Sequence, residues 1–166
     1  MNFKRILKHL SVSHAAMRRI FPRSTLDNIE RTIREMEQTH AGQIRFAVEA
    51  ALDIGPLIAG LTARERAIEV FSRLRVWDTE HNNGVLIYLL LADRKVEIVA
   101  DRGIHVRLGP AVWETVCQEM ESAFRQGRFE QGVMAGIRSV GGHLAQHYPH
   151  VGAGKINELP DSPVLI

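Results

Sequence analysis

The stretch Asn82-Asn83-Gly84-Val85-Leu86-Ile87-Tyr88-Leu89-Leu90-Leu91-Ala92-Asp93-Arg94-Lys95-Val96-Glu97-Ile98-Val99-Ala100-Asp101-Arg102-Gly103 decides the fold of this chain. Residues 85–91 form an unbroken apolar run, short for a helix and too uniformly apolar for a strand with one wet face. They predict a central strand buried on both sides. Asp93-Arg94 is a turn signal, and Val96, Ile98 and Ala100 then alternate with Glu97 and Val99, which predicts a strand returning antiparallel to the first. Asn83-Gly84 ahead of one strand and Asp101-Arg102-Gly103 after the other punctuate the hairpin at both ends.

Working upstream, Thr62 and Glu65 make a capping box for a helix with Ala67, Ile68, Phe71 and Leu74 on one side, lasting to about residue 76. Before it, Ile44, Phe46, Val48, Ala50 and Leu52 alternate with Arg45, Ala47, Glu49 and Ala51, predicting a strand over 43–50. Strand, helix and buried strand in that order predict a right-handed crossover with parallel strands. Residues 53–61, with Gly55-Pro56 and Gly60, read as a surface loop. Ser24 and Asp27 resemble a capping box for an earlier helix, whose stripe of Leu26, Ile29, Ile33 and Met36 stops at Gly42.

Downstream, Gly109-Pro110 starts a helix with Val112, Trp113, Val116, Met120, Ala123 and Phe124 on its buried side. A last helix runs through Val133, Ile137, Val140 and Leu144 and ends before Pro149. Helices for both faces of a short sheet predict a three-layer α/β/α sandwich around a mixed sheet, containing a βαβ unit and an antiparallel hairpin.

At 166 residues the chain holds one core, and no apolar run approaches the roughly 20 residues of a membrane span. The start of the sequence lacks the features of a secretory signal, and Cys117 has no second cysteine to pair with, so the expected location is the cytoplasm. The net charge of +2 hides a split: Lys4, Arg5, Lys8, Arg18, Arg19 and Arg23 precede the first acid, Asp27, and removing them leaves about −4 for the rest.

Three segments follow from this: a basic amphipathic helix over 1–23, broken near 11–13; a domain over 24–149; and an extended tail over 150–166. The arm reads either as a helix docked on the domain or a second subunit, or as an attachment to an anionic membrane surface, which would place the protein peripherally at the inner membrane. Nucleic acid is not an expected partner, because the basic segment is short and the body acidic.

Pairing the hairpin strands about a two-residue turn matches Leu86 with Asp101 and Gly84 with Gly103, bringing His81, Asn82, Asn83 and Gly84 beside Asp101, Arg102, Gly103 and His105. Asp and Asn oxygens suit a hard cation such as Ca²⁺ or Mg²⁺, with Asn82 and Asp101 as ligands. Arg102 and the amides of the Gly84 and Gly103 turns suit an anion. A hydrogen-bonded turn with no ligand accounts for the same residues. His143 and His147 share a helix face without a neighbouring glutamate base, Cys117 lacks an activating base, and Trp77 and Trp113 fit core positions. Glu49 and Asp53 read as a solvated acidic face.

The order of helix, strand, Thr-capped helix, Asn-Gly strand, Asp-Arg-Lys turn and Gly loop resembles the TPM-domain family. So does the helix pair joined through Arg125-Gln126-Gly127-Arg128-Phe129, and the match spans about residues 26–148. Within the family the chain is similar to short bacterial members with Val76-Trp77-Asp78-Thr79-Glu80 and the tail Asn157-Glu158-Leu159-Pro160-Asp161.

TPM domains are similar to a thylakoid lumen protein described as an acid phosphatase, and some members bind divalent cations. The resemblance therefore implies two functions: a binding or assembly module near the inner membrane surface, working beside other envelope or TPM proteins, or a phosphoric ester hydrolase. The hydrolase would use Asp101 as its carboxylate, His81 or His105 as general acid or base, and Arg102 on the phosphoryl oxygens. Two positions depart from the family pattern: Asn82 stands where cation-binding members have Asp before Asn-Gly, and Arg102 replaces an aromatic residue before Gly103. Both changes shift the loop pair from cation toward anion.

Overall fold

A computed structural model describes residues 3–150 and 156–166. Positions 1–2 of the arm and 151–155 of the tail lie outside the described residues. In chain order the elements are α1 (Phe3–Ser11), α2 (His14–Ile20), α3 (Arg23–Glu37), β1 (Gln43–Glu49), α4 (Ile54–Ile58), α5 (Ala63–Arg73), β2 (Gly84–Leu90), β3 (Lys95–Ala100), α6 (Arg102–Leu108), α7 (Pro110–Arg125), α8 (Phe129–His147) and β4 (Val164–Leu165).

The sheet order is β3-β2-β1-β4. β1 and β2 are parallel from Gln43 beside Gly84 to Glu49 beside Leu90. β3 returns antiparallel to β2. The expected βαβ unit and hairpin are both present, and every residue of β2 is buried. Its apolar run is buried on both faces because alternate residues feed two separate clusters. Val85, Ile87 and Leu89 join Ile44, Phe46 and Ile98 under α3, α7 and α8. Leu86, Tyr88 and Leu90 join Ala47, Val99 and the inner side of α5. Helices thus cover both faces of the mixed sheet.

The hairpin register differs from the sequence reading by two residues. Leu86 faces Val99 and Leu90 faces Lys95, so the turn is the four residues 91–94 rather than Asp93-Arg94 alone. The reason lies on β1: the Leu91 and Ala92 amides donate to the Glu49 and Ala50 carbonyls at 2.9 and 3.0 Å, which draws the end of the apolar run away from β3. Arg94 closes the turn at φ 51°, its amide donating to the Leu91 carbonyl at 3.0 Å.

Local signals were of unequal value. Thr62 and Glu65 form the reciprocal capping box at the start of α5, the Thr62 hydroxyl accepting from the Glu65 amide at 3.2 Å. The bonds that Thr62 returns hold the Glu65 carboxyl below its ordinary range. Ser24 and Asp27 form no such box. α3 begins at Arg23 behind Pro22, whose own φ of −66° and extended ψ launch the helix, and Asp27 pairs with Arg23 at 2.9 Å. The expected loop over 53–61 contains α4, and a short helix, α6, follows β3 at once.

Both ends of the chain are integrated with the domain. The arm is two helices, with Ser13 capping α2 through the Ala16 amide at 3.2 Å. Met17 and Phe21 are fully buried, Phe21 lying 6.2 Å from the ring centroids of both Phe46 and Phe129. The tail adds β4 alongside β1. Two buried β1 side chains fasten it. Gln43 Oε1 accepts from the Glu158 and Leu159 amides at 3.1 and 2.9 Å, and Arg45 donates to the Pro160 and Ser162 carbonyls. Burial pulls the Arg45 guanidinium below its usual range, against the opposing pull of Asp161.

Candidate functional site

The loops that begin β2 and leave β3 meet at one end of the sheet, with the Asp101 amide donating to the Gly84 carbonyl at 2.9 Å. Glycine is required at both crossings. A Cβ on Gly84 would sit 2.0 Å from the Val76 carbonyl oxygen, and one on Gly103 would sit 2.6 Å from the Asn82 carbonyl oxygen. Asn82 adopts a left-handed φ of 50°, a conformation Asn tolerates better than most side chains. The loop pair predicted from sequence exists, shifted by the corrected register.

Each predicted site residue has a definite place there. The Arg102 Nε–H donates to Asn82 Oδ1 at 3.3 Å, and the Arg102 side chain is otherwise exposed. Asp101 caps α6, Oδ1 accepting from the Arg102 amide at 2.7 Å. Among the described residues, Asp101 Oδ2 is buried with no hydrogen-bond partner. Asn83 is fully buried and structural: its amide donates to Thr79 Oγ1 at 3.1 Å and its Nδ2 to the Ala41 carbonyl at 3.0 Å. The Gly103 carbonyl accepts from the Tyr148 hydroxyl at 2.5 Å, which ties the loop to the end of α8.

The two histidines do not complete a catalytic constellation. His81 is exposed, with Nε2 4.0 Å from Glu80. His105 lies one turn into α6 and lines a cleft along the outer edge of β3 with Trp113 and Pro110. Among the described residues no group of three or more His, Cys, Asp or Glu side chains converges to hold a metal. Asp78, one of the acids near enough in sequence to assist Asp101, pairs with Arg75 at 2.8 Å. For Ca²⁺ or Mg²⁺ the donor set is poor: one partnerless carboxylate oxygen, and an amide oxygen already facing a guanidinium.

Two arrangements escaped sequence reasoning. Glu49 is buried rather than solvated: Arg66 grips its carboxylate through Nε and Nη2 at 2.9 to 3.2 Å, and the Tyr88 hydroxyl donates to it at 2.6 Å. Its position as an alternating polar residue on a strand gave no sign that helix α5 would close over it. The second is the cleft beside β3, about 450 Å³ in volume, where α7 overhangs the edge strand. Glu121 Oε1 accepts from the outward Val96 amide at 3.2 Å, and Arg64 Nη1 donates to the outward Ile98 carbonyl at 2.6 Å, so side chains cover the strand edge. Burial raises the Glu97 carboxyl there, and burial beside Glu97 and Glu121 pushes the Cys117 thiol up to about 12. Such surroundings disfavour the thiolate, the form that reacts.

Trp113 is a core residue, edge-on to His143 at 6.1 Å, while Trp77 is half exposed under the Arg75 guanidinium at 5.6 Å. Among the described residues no helix is long and apolar enough to cross a membrane.

Comparison with known proteins agrees with this architecture. No curated protein matches the chain. Among solved structures, the NMR structure of the BA42 protein from the psychrophilic bacterium Bizionia argentinensis is 31% identical, with 86% of this chain and 93% of that one aligned at a TM-score of 0.74. The solution structure of the N-terminal domain of a protein from P. gingivalis is 18% identical over 80% of this chain and 83% of that one, at a TM-score of 0.63, which speaks to fold alone. The family model of the TPM domain matches residues 16–143. Helix, parallel strand pair, hairpin and paired C-terminal helices therefore sit in a chain that belongs to the TPM-domain family.

Proposed function

We propose that this chain is a non-catalytic binding module whose loop pair holds a small oxyanion on Arg102. The observation that carries the reading is the 3.3 Å contact from Arg102 Nε to Asn82 Oδ1. A neutral amide occupies the position ahead of Asn83-Gly84, and the guanidinium that faces it opposes the approach of a cation. That contact engages one N–H of Arg102 and leaves the outer fork of an exposed guanidinium, the group best shaped for a phosphate or carboxylate. Calorimetry with inorganic phosphate and with Ca²⁺ tests the reading. Phosphate binding that disappears in Arg102→Ala supports it. Ca²⁺ binding tighter than phosphate binding in the parent protein overturns it.

A second reading, an acid-phosphatase-like ester hydrolase, has one observation in its favour: the buried, partnerless Asp101 Oδ2 is a carboxylate oxygen not committed to the fold. Neither histidine bonds Asp101 among the described residues, so the reading lacks a paired acid and base. Hydrolysis of p-nitrophenyl phosphate at acid pH that Asp101→Asn abolishes would establish it. Hydrolysis indifferent to Asp101→Asn, or none at all, would remove it.

A further inference from the structure

α1 is amphipathic, yet it meets the domain chiefly through polar side chains, Arg5 and His9, with Ile6 beside them. Arg5 Nε donates to Asp93 Oδ2 at 2.9 Å and Arg5 Nη1 to the Leu61 carbonyl at 2.8 Å. His9 is 4% exposed, with Nδ1 accepting from the Leu52 amide at 2.9 Å and Nε2 3.2 Å from Asp93 Oδ1. The apolar stripe is split: Ile6 packs against the cluster beneath α5, and the rest of the stripe is open to solvent. Phe3, Leu7 and Leu10, spaced to share one helix face, are 67%, 55% and 62% exposed.

The neighbouring helix also exposes apolar side chains. α1 lies against α4, where Leu57 turns into the domain while Ile54 and Ile58, one turn apart, are 53% and 55% exposed. Five large apolar side chains, each more than half exposed on adjacent helices, form the kind of patch that marks an interaction surface in a soluble domain. Lys4 and Lys8 are exposed beside Phe3 and Leu7, and α1 contains no acid.

We infer that the α1–α4 face docks on an anionic lipid surface, with the five apolar side chains at the acyl boundary and Lys4 and Lys8 among the headgroups, and that docking turns the loop pair away from the bilayer. A second copy of the chain is a poorer occupant. A two-fold contact through this face would gather Lys4 and Lys8 of both copies into one interface, against a single exposed acid per copy, Asp53 at the start of α4. Lipid phosphates supply the missing charge, and basic residues flanking an exposed apolar stripe are what interfacial helices present.

The orientation follows from the strands. β1 and β2 run in parallel from the loop pair, at Gln43 and Gly84, to the segments that anchor α1, at Leu52 and Asp93. Seven residues of strand span about 20 Å, so the ligand end and the lipid end are opposite ends of one rigid sheet.

Co-sedimentation of the full chain with phosphatidylcholine vesicles, with and without phosphatidylglycerol, tests the inference. Binding is expected to the anionic vesicles and to fall as salt rises. Leu7→Asp and Ile58→Asp, on different helices, should each weaken it at least about tenfold, the scale of one lost apolar burial. Circular dichroism should be unchanged, because both side chains are exposed. In the bound state Trp77, at the loop end, should stay open to acrylamide quenching, while a tryptophan introduced by Leu7→Trp in a Trp77→Phe background should become shielded. Equal binding to neutral vesicles, no binding to either, or shielding of Trp77 would overturn the inference. So would light scattering that shows a dimer dissolved by Leu7→Asp, which would assign the face to self-association.

Discussion

The Tyr88 hydroxyl donates to Glu49 Oε2 across 2.6 Å, joining two neighbouring parallel strands at a point closed to solvent. Arg66 completes the carboxylate from α5. Burial and the adjacent carboxylate push the phenol well above its ordinary range, and the bond to Glu49 raises the guanidinium in turn. Glu49→Ala would leave the buried Tyr88 hydroxyl without its acceptor and Arg66 with only Glu69, 2.9 Å away, at an expected cost of about 3–5 kcal/mol. Tyr88→Phe removes one hydrogen bond and leaves the ion pair, costing about 1–3 kcal/mol. Urea unfolding of both variants checks the order; a Glu49→Ala loss no larger than that of Tyr88→Phe would contradict it.

Leu89 sits in the middle of β2 and is fully buried among residues of β1, β3 and the helices above them. Leu89→Ala should cost about 2–5 kcal/mol, the transfer term plus the cavity left behind. A loss below about 1 kcal/mol would mean that the site collapses freely.

Acid stability should depend on Glu130, which accepts from Thr25 Oγ1 at 2.7 Å and Asn28 Nδ2 at 2.8 Å and so has its carboxyl held below the ordinary range. The charged form is favoured in the folded state. Its contribution is therefore in place above the ordinary glutamate value of about 4.3 and is lost as pH falls through the lowered folded value. The stability difference between the parent and Glu130→Gln should shrink from about pH 6 to about pH 3 in urea titrations. A constant difference would assign the hydrogen bonds no ionic component.

Ca²⁺ should bind the loop pair of the parent protein no better than roughly 10⁻⁴ to 10⁻³ M. Asn82→Asp is expected to tighten it by adding a carboxylate. Arg102→Ala on that background should tighten it further, because Arg102 faces position 82. Equal Ca²⁺ affinities for the parent and the double variant would show that the loops hold no cation-binding geometry at all.

What the sequence made legible, and what it did not, follows from the range of the forces involved. The run 85–91 and the capping box at Thr62 and Glu65 are local, and both appear where the pattern puts them. The hairpin register failed because Leu91 and Ala92 bond to β1, a partner about 40 residues away that no turn signal reports. β4 was unreadable for the same reason: its recruitment depends on Gln43 and Arg45 reaching tail backbone more than 110 residues distant. Periodicity marked the arm as amphipathic but carried no information on which side would dock. Arg5 and His9 settled that through Asp93. At the loop pair, the strand count brought Asn82, Asp101 and Arg102 to one end of the sheet, whereas which of them bond to one another is visible only in the Arg102 to Asn82 bond and the Asp101 cap.

The most direct test of the oxyanion reading is a ¹⁵N–¹H NMR titration of the parent protein with inorganic phosphate, following the backbone amides of residues 81–84 and 101–103 together with the Arg102 Nε–H. The account predicts saturable shifts concentrated there, led by the Arg102 side chain as it leaves Asn82 Oδ1, and their loss in Arg102→Ala. Shifts confined to other surfaces, or a loop-pair response that survives Arg102→Ala, would contradict it.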